Sequence, residues 1–245
     1  MNRSTWVLLY AMLAITLWNY IPEAPRLLKM ESGRSFISSP TENAAEMTEC
    51  EKGIALLRNS QRFWGTFLLF GLIPMGIVRF GFREKLSDYG VCWGNRYTLR
   101  SFLIMAPVMI AIGWFSGHTT EFYAVYPYNP WFLGGATSLA EGWMFSIFYN
   151  LLYFFLYYFS WEFFFRGFLQ RAMEPSLGVV NTILLQTTLS VFAHFTHPSH
   201  EALGAIAGGL IWGFLVYRTR SILSGWGQHA AIGMALDYGL IYYAQ

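Results

Sequence analysis

The sequence has few charged residues and almost no cysteine. Charged side chains make up 12% of its 245 residues, whereas a soluble domain usually has about 25%. The two cysteines, Cys50 and Cys92, lie in different polar segments without metal-like spacing, which argues against a disulfide framework or a cysteine metal site. A net charge of +2 offers no electrostatic basis for binding nucleic acid. These absences exclude ordinary soluble enzymes and nucleic-acid-binding proteins.

Apolar and aromatic residues are correspondingly abundant. The chain is 55% hydrophobic and 19% aromatic, with a mean hydropathy of +0.36. A membrane-spanning helix needs roughly 20 mostly apolar residues. Seven candidate stretches cover residues 6–18, 63–82, 101–115, 141–173, 179–196, 202–217 and 222–243. We therefore predict an all-α, polytopic membrane protein with about seven transmembrane helices in one bundle.

The stretches divide the chain into two parts. Residues 1–62 are predicted to form an N-terminal helix, retained after synthesis, followed by a polar segment that becomes helical from Thr41. Residues 63–245 form the main transmembrane domain. Lys and Arg in 83–100 and their absence from 117–138 predict that the first loop is cytoplasmic and the second external. The stretch 141–173 is longer than one crossing needs, so a break or a projection beyond the bilayer is expected.

A few ionisable residues interrupt these apolar stretches. Glu162 and Arg166 are four residues apart and so share one helix face. The others are His194, His229 and Asp237. An ionisable group within lipid costs a few kcal/mol unless it is paired or faces a wet cavity. Each is therefore a functional hypothesis, although a structural ion pair and hydrogen-bonded core histidines remain alternatives.

One carboxylate and two imidazoles can deprotonate water and stabilise an oxyanion, and they are also possible ligands of zinc. A zinc-dependent membrane protease is therefore an alternative to a metal-free hydrolase. If the helices were straight, His229 would lie about 10 Å and Asp237 about 22 Å along the last one. Glu162 would lie midway along its helix, so a common pocket requires kinks or tilts. His197 and His200, beside Pro198, are predicted at the surface.

Three segments resemble a known family when read in order. They are "WEFFFRGFL", "FAHFTHPSHEALGAIAGGLIWGFLVYRTRSI" and "HAAIGMALD", and the family is the CAAX-protease and bacteriocin-processing family of intramembrane proteases. The likeness covers roughly residues 63–245. The family motif E-E-x-x-x-R matches at Glu162 and Arg166, F-x-x-x-H at His194, and H-x-x-x-N at His229. The resemblance implies that a glutamate activates water, that the histidines hold the water and the developing oxyanion, and that the arginine orients the glutamate.

The sequence departs from the family motifs at three positions. Trp161 stands where the first motif has its leading glutamate, Ser190 where the second has Phe, and Gly233 where the third has Asn. Adjacent helix positions differ by about 100°, so Glu162 does not simply inherit the role of the glutamate missing at 161. Bacterial relatives that share W-E-F-F-F-R-G also share an acidic residue eight positions after the last histidine, here Asp237. The resemblance to these relatives implies a rearranged site, with Glu162 as the base and Asp237 or Glu201 supporting a histidine.

The predicted function is therefore an intramembrane endopeptidase of the glutamic type, which cleaves near the membrane surface. Glu162 is expected to activate water, Arg166 to orient it, and His194 and His229 to bind the water or oxyanion. A catalytically inactive scaffold or chaperone of the same fold is the alternative from another class.

The expected partners are a peptide or protein with a membrane-associated segment and the lipid bilayer, with no nucleic acid and no cofactor. The expected location is a prokaryotic cell membrane, which the chain crosses several times. Small residues in 204–213 predict close helix packing.

Overall fold

A computed structural model of the chain describes residues 2–21, 60–119, 121–122, 125–126, 139–195 and 197–243. Side chains of residues 139–142 are not part of that description. The predicted helix from Thr41 and the cysteine Cys50 lie outside the described residues, as does most of the loop 117–138. The described residues are largely helical and contain no strand, which confirms the predicted all-α class.

Seven long helices make up the described structure. They are α1 (Arg3–Asn19), α2 (Gln61–Gly81), α3 (Arg96–Ser116), α4 (residues 139–177), α5 (residues 179–193), α6 (Ser199–Thr219) and α7 (Leu223–Tyr243). A short 3₁₀ helix, Leu86–Tyr89, lies between α2 and α3. By length and composition, four described helices can cross a membrane, with α4 and α5 counted together as Trp143–Ala193. The chain is thus a multi-pass membrane protein, while the predicted number of about seven spans is not confirmed.

The long apolar stretch folds back on itself at Gly178. This residue has φ 74° and ψ 168°, a backbone conformation that glycine adopts without steric cost. Trp161 lies 17 residues before Gly178 and His194 lies 16 residues after it, and their rings are 5.2 Å apart. Residues at nearly equal distances from the bend therefore meet, because α5 runs back along α4. The division between the predicted stretches 141–173 and 179–196 is thus present.

An aromatic core joins α1, α2 and α4. The Trp18 ring packs 5.6 Å from Phe70 and 5.0 Å from Trp161, and its indole N–H donates to Thr66 Oγ1 at 2.8 Å. Both α2 and α4 contain π-helical stretches, which are Phe67–Leu72, Ile77–Gly81, Tyr153–Tyr158 and Phe163–Leu169. Such stretches are frequent at functional sites, and here they flank Glu162.

Three further helices, α3, α6 and α7, pack against one another beside this core. A Cβ atom at Gly113 of α3 would overlap the backbone of Ile232 on α7, and one at Gly239 would overlap Trp114. Small residues therefore allow α3 and α7 to pack backbone against backbone. Between α6 and α7 the chain turns at Arg220, whose φ of 61° ends α6. This turn brings Trp212 of α6 beside His229 of α7.

Candidate active site

Glu162 is the centre of a buried hydrogen-bonded group. Its Oε1 atom lies 3.2 Å from Arg166 Nη1 and 2.8 Å from His229 Nδ1. The Glu162 and Arg166 side chains are 0% and 1% exposed, so they meet the condition that buried charges be paired. Since a carboxylate oxygen can only accept, the Nδ1 atom of His229 carries the hydrogen. This leaves the Nε2 atom of His229 for other partners.

The His229 ring is held by two aromatic side chains. Trp212 stacks on it with ring centroids 4.6 Å apart and an interplanar angle of 28°, and Tyr158 lies 4.8 Å away. The Tyr158 hydroxyl occupies the space where a side chain at position 233 would begin. Gly233 therefore leaves room for a phenol where the family motif carries an asparagine, and the phenol supplies a hydrogen-bond donor at that place.

His194 caps the end of α5 and reaches the site from the other side. Its Nδ1 atom lies 2.7 Å from the backbone carbonyl of Ser190, and a carbonyl can only accept, so Nδ1 carries the hydrogen. The Nε2 atom lies 3.8 Å from Glu201 Oε1. The replacement of the motif's Phe by Ser190 does not affect this bond, because the acceptor is backbone.

Glu201 lies in the first turn of α6, directly after the loop that follows His194. Its Oε1 atom is 2.7 Å from the Tyr126 hydroxyl and 2.8 Å from His197 Nδ1. Its Oε2 atom is buried and has no hydrogen-bond partner among the described residues. Glu201 therefore forms a second carboxylate–imidazole group, separate in sequence from Glu162 and His229.

Trp161 separates the two groups. Its ring is 5.2 Å from the His194 ring and 6.3 Å from the His229 ring, edge-on to both. It is 1% exposed and packs on Trp18 and Tyr157. The position where the family has a glutamate is therefore occupied by an aromatic ring that belongs to the core.

A cavity of about 330 Å³ connects the polar groups. Its polar lining includes Arg166, His194, Glu201 and His229, together with the Tyr126 and Tyr158 rings. Its apolar lining combines small residues of α6, which are Gly204, Ala205, Ala207 and Gly208, with larger side chains such as Met109, Phe122 and Trp212. Straight helices would place Glu162, His229 and Asp237 at different depths, but the fold-back at Gly178 and the turn at Arg220 bring His194 and His229 to one cavity.

Two residues lie elsewhere than the sequence suggested. Asp237 is buried on α7, where its Oδ2 atom accepts from the Tyr149 hydroxyl at 2.6 Å, and its described contacts include no histidine. His197, predicted at the surface, is buried and bound to Glu201. That prediction was wrong because the His197 ring packs against Tyr126 and bonds to Glu201. His200 is partly exposed, as predicted.

Sequence reasoning missed three contributors to the site. Tyr126 lies in a Tyr- and Pro-rich loop, and no motif distinguishes it from its neighbours. Trp212 was one of ten tryptophans, and only the α6–α7 turn reveals that it stacks on His229. Tyr158 lies four residues before Glu162, so the helical period could have placed it on the same face.

Comparison with known proteins identifies the segment that carries the site. Residues 142–235 match the family model of the Type II CAAX prenyl endopeptidase Rce1-like proteins. This range includes Glu162, Arg166, His194, Glu201 and His229 and ends before Asp237. No curated protein and no solved structure matches the chain. Among the described residues, no group of three or more His, Cys, Asp or Glu side chains has an arrangement that could hold a metal ion.

Proposed function

We propose that this chain is an intramembrane endopeptidase that hydrolyses a peptide bond in the cavity beside α6, because residues 142–235 match the family model of the Type II CAAX prenyl endopeptidase Rce1-like proteins. The observation that carries the proposal is the convergence of Arg166, His194 and His229 on one cavity. These residues come from three helices, and buried polar side chains at membrane depth are retained where they line a wet site.

His229 is suited to bind the carbonyl oxygen of the scissile bond. Glu162 accepts the Nδ1 hydrogen of His229 and stabilises the imidazolium form, in which Nε2 also carries a hydrogen. An imidazolium and the neighbouring Tyr158 hydroxyl would together stabilise a developing oxyanion, an effect typically worth 10²–10³ in rate for each donor. Arg166 supplies the opposite charge beside the fully buried Glu162 side chain.

We assign Glu162 a role different from direct activation of water. Its carboxylate is fully buried, and Oε1 is used by both Arg166 and His229. Glu162 is therefore a positioning residue that acts through the His229 ring. His194 would hold the attacking water, since its Nδ1 hydrogen is engaged with Ser190 and Nε2 is left as an acceptor in the neutral ring.

The proposal is tested with the purified protein in lipid nanodiscs. The probes are a proteome-derived peptide library and a prenylated CAAX-type peptide, with cleavage followed by mass spectrometry. We expect the wild-type protein to cleave at defined bonds and Glu162→Gln to lower kcat about 10²-fold or more, because the amide no longer stabilises the imidazolium. Glu84→Gln, at a distant ion pair, should retain the wild-type rate.

The outcomes of these assays distinguish an endopeptidase from a non-catalytic scaffold. A wild-type protein that binds membrane peptides but cleaves none of the probes would overturn the endopeptidase proposal in favour of the non-catalytic scaffold. Full activity of Glu162→Gln in a cleaving protein would remove Glu162 from the mechanism.

A further inference from the structure

We propose that Glu201 is the carboxylate that takes the proton from the attacking water, in the position left without a glutamate by Trp161. This inference rests on the proposed endopeptidase function and adds to it the base that Glu162 is too buried to provide. Glu201 belongs to α6 and not to the long helix, so the motif on α4 does not point to it.

Access to the cavity distinguishes the two carboxylates. Glu201 lines the cavity and its side chain is 18% exposed, whereas the Glu162 side chain is 0% exposed. Each has an Oε2 atom without a hydrogen-bond partner among the described residues. The Oε2 atom of Glu162 faces Gly225 of α7 and would lie 3.1 Å from a Cβ atom added to that glycine. A base must come within hydrogen-bond reach of the proton it abstracts, and of the two only Glu201 lines the cavity.

The surroundings of Glu201 keep it ionised, as a base requires. The Tyr126 hydroxyl and His197 Nδ1 both bond to its Oε1 atom, and hydrogen bonds to a carboxylate favour the charged form. Glu201 also lies in the first turn of α6, where the helix dipole favours a negative charge. Oε1 is thus occupied by donors, while Oε2 is left without a hydrogen-bond partner among the described residues.

His194 and Glu201 together can orient the water. The 3.8 Å between His194 Nε2 and Glu201 Oε1 exceeds a direct hydrogen bond but brings two acceptors to one place. A water that donates one hydrogen to Nε2 and the other to Oε2 directs its lone pair away from both and into the cavity. The carbonyl carbon of a bound peptide would lie on that side.

The hydrolytic step balances with these groups alone. The water oxygen bonds to the carbonyl carbon, its proton passes to Glu201 Oε2, and the carbonyl π electrons move to the oxygen bound by His229. When the C–N bond breaks, the proton on Oε2 goes to the departing nitrogen. The products are a carboxylic acid and an amine, and Glu201 is again a carboxylate.

The test uses a peptide that the wild-type protein cleaves. Glu201→Gln keeps the side-chain shape and should lower kcat by 10²-fold or more, within the range of general base catalysis, with little change in KM. Glu201→Ala should be inactive but should regain activity with added formate, which can enter the cavity as a substitute carboxylate. Glu162→Ala should not respond to formate, because its site is sealed.

The matched control is Glu174→Gln. Glu174 has the same 18% exposure as Glu201, but it pairs with Arg171 and Arg220 near the Gly178 bend, so this variant should retain wild-type kcat. Wild-type activity of Glu201→Gln, or a folded and inactive Glu201→Ala without formate response, would overturn the inference while the endopeptidase function stands. A wild-type protein that cleaves no probe defeats both proposals.

Discussion

Two regions of the bundle are built from opposite kinds of residue. In the first, the sealed wall, α1, α2 and α4 pack large buried aromatic rings such as Trp18, Phe70 and Trp161, and the buried ion pair of Glu162 and Arg166 lies on α4. In the second, the small-residue wall, α6 presents Gly204 and Gly208 to the cavity. The sealed wall fixes charges in position, whereas the small-residue wall leaves volume for a peptide. Within one bundle, one set of helices thus holds the charged side chains in position, and another leaves the space that a peptide needs to enter the site.

The difference matters for the roles of the carboxylates. Glu162 belongs to the sealed wall, where every charge must be compensated within the protein. Glu201 belongs to the open side, where a carboxylate can exchange a proton with water. The same residue type therefore serves positioning in one place and, in our proposal, proton transfer in the other.

The largest effect is expected from removing the arginine of the sealed wall. Arg166→Met leaves the Glu162 carboxylate buried without its charge partner, and breaking a buried pair in this way costs about 3–5 kcal/mol. Arg171→Met is the matched control, because Arg171 pairs with a carboxylate but is partly exposed; we expect about 1 kcal/mol or less. Denaturant unfolding in mixed micelles measures both values. Equal losses in the free energy of unfolding of the two variants would mean that burial gives the Glu162–Arg166 pair no special importance.

Two separate glycine-to-alanine substitutions on α6 test the small-residue wall. Their expected effects on the free energy of unfolding are of intermediate size. An alanine at Gly204 would meet no atom within 4 Å, whereas one at Gly209 would lie 2.7 Å from the Thr187 side chain of α5. Gly204→Ala should therefore raise the free energy of unfolding by about 0.5–1 kcal/mol, since alanine favours a helix over glycine. Gly209→Ala should lower it by about 1–3 kcal/mol through overpacking. The opposite signs are the test, and two changes of the same sign would contradict the packing.

The smallest effect concerns the ion pair that joins the first turn of α1 to the segment after α2. Arg3 donates to both oxygens of Glu84 at 2.8 and 2.7 Å. The hydrogen bond from Arg3, followed by that from Tyr89, lowers the pKa of Glu84, while burial acts in the opposite direction. Burial raises the pKa of Tyr89, so the phenol stays neutral and continues to donate.

The sign of the pH dependence follows from the lowered pKa. The stabilisation is present above the unfolded pKa of about 4.3 and is lost as the pH falls through the lower folded value. Both side chains are more than a third exposed, so solvent screening limits the effect to a few tenths of a kcal/mol. The wild-type protein should lose this increment between about pH 5 and 3 relative to Glu84→Gln. Parallel stability curves for the two proteins would show that the attachment contributes nothing.

Much of the fold was predictable because lipid imposes strong local rules. Apolar stretches, the paired charges at Glu162 and Arg166, and the break near Gly178 follow from segment length, helical spacing and backbone preference, all of which are local properties. The number of spans was harder to predict, since only four described helices are long and apolar enough to cross a membrane, with α4 and α5 counted as one. The surface assignment of His197 failed because a loop next to Pro198 gives no local sign of folding inward.

The sequence by itself determined an all-α membrane protein and nominated the polar residues that reach its interior, because charge in lipid is costly wherever it occurs. Only the tertiary structure decided how those residues combine. It joined Glu162 to His229, set Glu201 beside His194, and bound Asp237 to Tyr149. The physical reason is that these contacts connect residues far apart in sequence, and their geometry depends on where helices bend and how closely small residues let them approach. The spacing of a motif within one helix cannot encode that arrangement.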